Sequence, residues 1–133
     1  MILADTSVWI DYFNGVASKE TDILDTRLSE DSVVIGDMIY LEVLQGFRRD
    51  RDYNQARRVL SLLDHIELLG KDMVVRCANN YRALRKRGIT IRKTTDVIIA
   101  TFCINNQLPL LFTDRDFKPF VEHLKLREVT TET

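Results

Sequence analysis

The sequence predicts an α/β fold: a central parallel sheet of about four to five strands flanked by helices on both sides. Three observations lead there. The runs Met1-Ile2-Leu3-Ala4 and Leu108-Pro109-Leu110-Leu111-Phe112-Thr113 are apolar without alternation, as strands covered on both faces are. Helix-length segments with apolar spacings of three and four separate the strand-like runs, so strands and helices alternate along the chain. Each apolar run also ends in a carboxylate, Asp5 or Asp114, and the carboxyl edge of an open α/β sheet is where such folds keep their chemistry.

The 133 residues suit one domain, residues 1–133, with one core. A hydrophobic content of 45% and a charged content of 29% are those of a soluble globular chain. No apolar run approaches the ~20 residues of a membrane helix, and the start lacks a secretory signal's basic flank and cleavage site, so a cytoplasmic protein without membrane association is expected. Cys77 and Cys103 show no CxxC or Cys/His spacing and are read as buried thiols rather than a disulfide or zinc site. A net charge of −1 gives no overall pull toward nucleic acid.

Along the chain, Val8, Trp9, Tyr12 and Phe13 place a helix over 6–14 that stops at Gly15. A second helix is expected over 20–29. The β-branched run 32–36, closed by Gly36, is a strand. The segment from Asp37 or Met38 to Phe47 is apolar almost all round, which predicts a buried helix. Glu42 within it must then meet a basic side chain or a cation.

A charged connection over 48–52 leads to a helix over 53–64, and 66–70 reads as a short strand. Lys71 to Arg87 is a long amphipathic helix with Val74, Cys77, Ala78, Tyr81 and Leu84 as its inner stripe, ended by Gly88. Six basic and no acidic residues between Arg82 and Lys93 fit either a solvated helix end or a phosphate-binding surface.

Asp96 opens the helix 96–104 and shares a face with Ile99, Ala100 and Cys103, so it points inward. The apolar run 108–113 follows, then Asp114-Arg115-Asp116-Phe117, a short helix after Pro119 and a strand-like stretch over 126–129.

Singly, Asp5, Asp96 and Asp114 read equally well as helix-terminal carboxylates. Together, two strand-end acids, one inward-facing helix acid and one acid in an apolar helix suggest a shared pocket. Such a cluster would repel itself unless a multivalent cation were present. Oxygen ligands without His or Cys suit a hard ion, Mg²⁺ or Mn²⁺, and a hard ion beside a basic run suits phosphodiester cleavage. Arg92, Lys93 and Arg115, nearest the acids in sequence, are candidates for RNA phosphates or for salt bridges.

In order, Asp5-Thr6-Ser7, Glu42, Asp96 followed by Ile-Ile-Ala, and Leu-Phe-Thr-Asp114-Arg-Asp116-Phe117 resemble the PIN-domain ribonucleases, above all the VapC toxins of type II toxin–antitoxin modules. The resemblance spans essentially the whole chain. It implies a PIN-like sheet, Mg²⁺- or Mn²⁺-dependent endonucleolytic cleavage of RNA, a homodimer, and a cognate VapB-like antitoxin that blocks the site.

Carried over by position, Asp5, Glu42, Asp96 and Asp114 form the catalytic and metal-binding quartet, with Asp116 a candidate fifth acid. Thr6 would stand behind the ligands, and Thr113 lies where related toxins often carry another polar residue. Rival readings are a PIN-fold processing nuclease, a Toprim-type or haloacid-dehalogenase-type enzyme, and a non-catalytic RNA- or protein-binding module. The Toprim type needs a Glu after the first strand, and the dehalogenase type a D-x-D there; Asp5-Thr6-Ser7 supplies neither.

Overall fold

Four parallel strands, β1 (Ile2–Ala4), β2 (Val33–Gly36), β3 (Asp64–Ile66) and β4 (Leu110–Leu111), lie in the order β3-β2-β1-β4. They come from a computed structural model that describes residues 1–131; residues 132 and 133 of the expected 1–133 domain lie outside the described residues. The two runs read as doubly covered strands become the neighbours β1 and β4, with β1 inside the sheet and β4 at its end, flanked only by a single bridge. Leu3 pairs with Leu110 and Ala4 with Leu111, and the amide of Asp5 donates to the Leu111 carbonyl at 2.9 Å.

The chain steps from β1 to β2 to β3 in one direction, then returns past β1 to β4. That reversal opens a crevice at the carboxyl ends of β1 and β4, the place where open α/β sheets bind ligands.

The helices fall into two groups. In the first, α1 (Thr6–Phe13) packs on α2 (Lys19–Ser29) and α3 (Asp37–Gln45), and α3 packs on α4 (Asp50–Leu60). In the second, α5 (Lys71–Lys86) packs on α6 (Thr94–Asn105) and α7 (Lys118–Leu124). Because βαβ crossovers are right-handed, steps in opposite directions along the sheet put the two groups on opposite faces. Trp9, Ile35, Ile99 and Phe117 are among the fully buried side chains. Trp9 is a core residue packed against Tyr12 and Phe13, as its helical spacing predicts.

Five local expectations change. The strand expected over 66–70 lies at 64–66, where Asp64 and His65 are exposed. An edge strand this short and polar carries no apolar run to announce it. Leu68, fully buried, instead packs over Gly36: a Cβ there would stand 2.5 Å from Leu68 Cδ1. Helix α4 starts at Asp50, not 53, because Asp50 and Asp52 sit in its first turn, where the helix dipole favours them.

Helix α3 is not buried all round. Leu41 is 62% exposed and Glu42 half-buried, so Glu42 faces the rim of the core. Along α5, Val74 is 51% exposed and Ala78 is exposed as well; Met73, Cys77, Tyr81 and Leu84 make the inner side. The strand expected over 126–129 is a single parallel bridge between Leu110 and Glu128, hydrogen-bonded through Arg127 and Val129.

Candidate metal centre

The crevice between β1 and β4 gathers acids from three parts of the chain. Asp5 leaves β1 and holds the N-cap position of α1, yet its side chain makes no capping hydrogen bond. Instead the Ser7 hydroxyl donates to Asp5 Oδ2 at 3.0 Å. Asp5 is only 6% exposed. Burial raises its pKa; the Ser7 hydroxyl and the neighbouring backbone of Thr6 and Ser7 oppose the rise, and the charge of Glu42 adds to it.

Asp96 is the third residue of α6, which starts two residues earlier than the sequence pattern places it. The inward direction inferred from Ile99, Ala100 and Cys103 agrees with its 5% exposure. Its Oδ2 is fully buried and has no hydrogen-bond partner among the described residues. Burial is the main force pushing its carboxyl from 3.8 up to about 7. Repulsion from Asp5 reinforces it, Lys93 opposes, and Asp114 and Asp116 add further repulsion. Asp96 therefore feels three other aspartates at once.

Asp114 does act as a cap: Oδ1 accepts from the Asp116 amide at 2.9 Å at the start of the 3-10 turn Arg115–Phe117. That turn aims Asp116 at the same place. Among the described residues, Asp96, Asp114 and Asp116 each offer an oxygen, all within 4.8 Å of one another. Asp116 is also the only one of these acids in an ion pair among the described residues: Arg92 reaches its Oδ2 with Nε and a terminal nitrogen, both at 3.1 Å.

Glu42 is not one of that trio, although its charge bears on Asp5. Its Oε1 accepts from the Thr6 hydroxyl at 2.7 Å, so of the two partners expected for it, a basic side chain or a cation, no basic side chain is paired with it among the described residues. Thr6 thereby ties α3 to the turn that carries Asp5. Thr113 is exposed and lies 3.3 Å from the Ser7 hydroxyl, its link to Asp5. Lys93 and Arg115 are exposed beside the acids.

Sequence reasoning passed over Ser7, although two hydroxyls directly after a strand-end acid were the available signal. Both histidines lie elsewhere, His65 edge-on to Tyr40 and His123 beside Glu122.

The donor set fits a divalent cation. It is all oxygen, which suits Mg²⁺ or Mn²⁺ rather than zinc, and it includes a buried oxygen that no group among the described residues satisfies. Structural caps and ion pairs account for Asp114 and Asp116 in part, but not for Asp96.

The family profile of the PIN domain matches residues 2–121. The chain belongs to the PIN-domain family. Within it the chain falls in the VapC group: it is 30% identical over 119 residues to a VapC ribonuclease of Mycobacterium bovis, covering 88% of this chain and 89% of the relative. Ribonuclease VapC11 of Mycobacterium tuberculosis matches equally.

The PIN fold is shared with solved structures of low identity. VapBC2 from Rickettsia felis, bound to a DNA fragment from its promoter, superposes with a TM-score of 0.76 at 17% identity, covering 97% of this chain and 98% of that one. FitAcB from Neisseria gonorrhoeae gives 0.74 at 18% identity, with 98% and 97% covered. A toxin–antitoxin complex from Klebsiella pneumoniae gives 0.69 at 22% identity, again with 98% and 97% covered.

Proposed function

We propose that this PIN protein is a divalent-metal-dependent endoribonuclease and the toxin of a VapBC-type module. One observation carries the reading. A buried, partnerless aspartate oxygen sits amid other aspartates at the switch point of the sheet, an arrangement unstable by itself and satisfied by a cation.

Asp96, Asp114 and Asp116, whose oxygens lie within 4.8 Å of one another, would hold the cation together with Asp5, whose charge bears on Asp96. The cation would neutralise charge on the scissile phosphate and acidify a water bound beside it. Glu42 keeps one oxygen on the Thr6 hydroxyl and the other free for the attacking water. Ser7 fixes the rotamer of Asp5, and Thr113 steadies Ser7. Lys93 and Arg115, exposed beside the acids, hold RNA phosphates.

Neighbours solved as toxin–antitoxin complexes support an antitoxin partner, which we take to be VapB-like; a homodimer of the toxin, acting on RNA in the cytoplasm, completes the reading. The experiment is RNA cleavage by purified protein with Mg²⁺ or Mn²⁺, with EDTA, and with Asp96→Asn. EDTA should abolish cleavage and either ion restore it, and Asp96→Asn should lose at least ~100-fold. Cleavage that survives chelation contradicts the mechanism.

A further inference from the structure

Arg92 raises a question that the acidic cluster does not answer. It lies just before α6, on a segment pinned by the buried side chain of Ile91. Its guanidinium is 74% exposed, yet two of its nitrogens converge on a single oxygen, Oδ2 of Asp116. Asp116 is thus shared between two claims. It offers an oxygen to the cluster with Asp96 and Asp114, and it holds the guanidinium of a residue from the basic stretch. An exposed pair of this kind holds weakly, and a divalent ion close to Asp116 would outbid a guanidinium for its charge.

We propose that Asp116 is an exchangeable hold on Arg92. Asp116 holds the guanidinium; were Asp116 to turn to a cation, Arg92 would be released to grip a backbone phosphate of the RNA. The order of events follows from charge. Free of cation, the crevice is acidic and its nearest arginine is engaged, so RNA is repelled. Loaded, the crevice is neutralised and gains a free guanidinium, a group well suited to phosphate. RNA capture is thereby tied to cation occupancy. This rests on the nuclease reading and adds a regulatory step to it.

The test is a double-mutant cycle on RNA binding in EDTA, where no cation contributes and no RNA is cut. A fluorescently labelled single-stranded RNA oligonucleotide is titrated with wild type, Asp116→Asn, Arg92→Gln and the double variant, each checked by thermal melt for folding. Asp116→Asn should bind RNA at least ~5-fold more tightly than wild type, with a salt slope steeper by about 0.7, one added phosphate contact. In the Arg92→Gln background the same substitution should gain less than about twofold. Arg92→Lys combined with Asp116→Asn should keep most of the gain, because an ammonium also binds phosphate.

An equal gain in both backgrounds would mean that only a negative charge had been removed, and would overturn the inference. So would no gain in either. Wild-type cleavage with Mn²⁺, measured alongside, separates the two claims. Cleavage with an equal gain in both backgrounds, or with none, sinks the Arg92 step alone, whereas neither cleavage nor RNA binding in any variant sinks the nuclease reading with it.

Discussion

Replacing Asp96 with Asn should stabilise the protein in metal-free buffer, by an amount that grows with pH. The carboxyl is held at about 7 instead of 3.8, chiefly by burial and then by Asp5. Between those values the native state keeps a proton that the unfolded chain has lost. The native state therefore binds more protons, and wild-type stability falls as pH rises through this window. Fully ionised, the group costs the fold on the order of 4 kcal/mol. Neighbouring acids that take up the proton instead, and the partners a buried amide needs, reduce the expected gain to about 2 kcal/mol.

For a domain of this size that is a rise in Tm of roughly 6–10 °C at about pH 8 in EDTA, shrinking toward zero near pH 4.5. Circular-dichroism melts of wild type and Asp96→Asn across that range measure it. Adding Mg²⁺ should raise the wild-type Tm and leave the variant nearly unmoved. A variant that melts below wild type at pH 8 in EDTA would refute the reasoning, and so would a difference that does not change with pH. Either result would make Asp96 a structural anchor.

Two further substitutions probe the supports of the site. Thr6→Val removes the hydroxyl that donates to Glu42 Oε1 at 2.7 Å; kcat for RNA should fall ~10-fold with KM within about twofold and Tm within ~2 °C. An unchanged kcat would free Glu42 of any dependence on Thr6. Gly36→Ala drives a Cβ to 2.5 Å from Leu68 Cδ1 and should cost about 1–3 kcal/mol in urea unfolding. In a Leu68→Ala background most of that cost should vanish, and equal costs in both backgrounds would refute the contact.

Where burial is continuous, the chain announces its structure. The apolar runs around Leu3 and Leu110 became the paired strands β1 and β4, and the acids ending them marked the carboxyl edge in advance. The inward pointing of Asp96 was legible because Ile99, Ala100 and Cys103 repeat on its face. What stayed hidden depends on contacts between distant residues. The strand at Asp64–Ile66 is defined by its pairing with Val34–Gly36, not by its own polar residues.

Glu42 looked encircled because neighbouring Leu41 is apolar, yet Leu41 faces solvent. The bonds from Thr6 to Glu42 and from Arg92 to Asp116 join residues 36 and 24 positions apart, and no local periodicity encodes them. Arg92, Lys93 and Arg115 were equivalent as a basic set; only the folded chain singles out Arg92.

Manganese soaked into crystals and located by its anomalous scattering would test the metal centre most directly. A peak about 2.0–2.3 Å from Asp96 Oδ2, within reach of Asp5 and Asp114, is the predicted result. Saturating manganese with no peak in that crevice, beside an Asp96 oxygen still partnerless or now bound to a protein group, would contradict it.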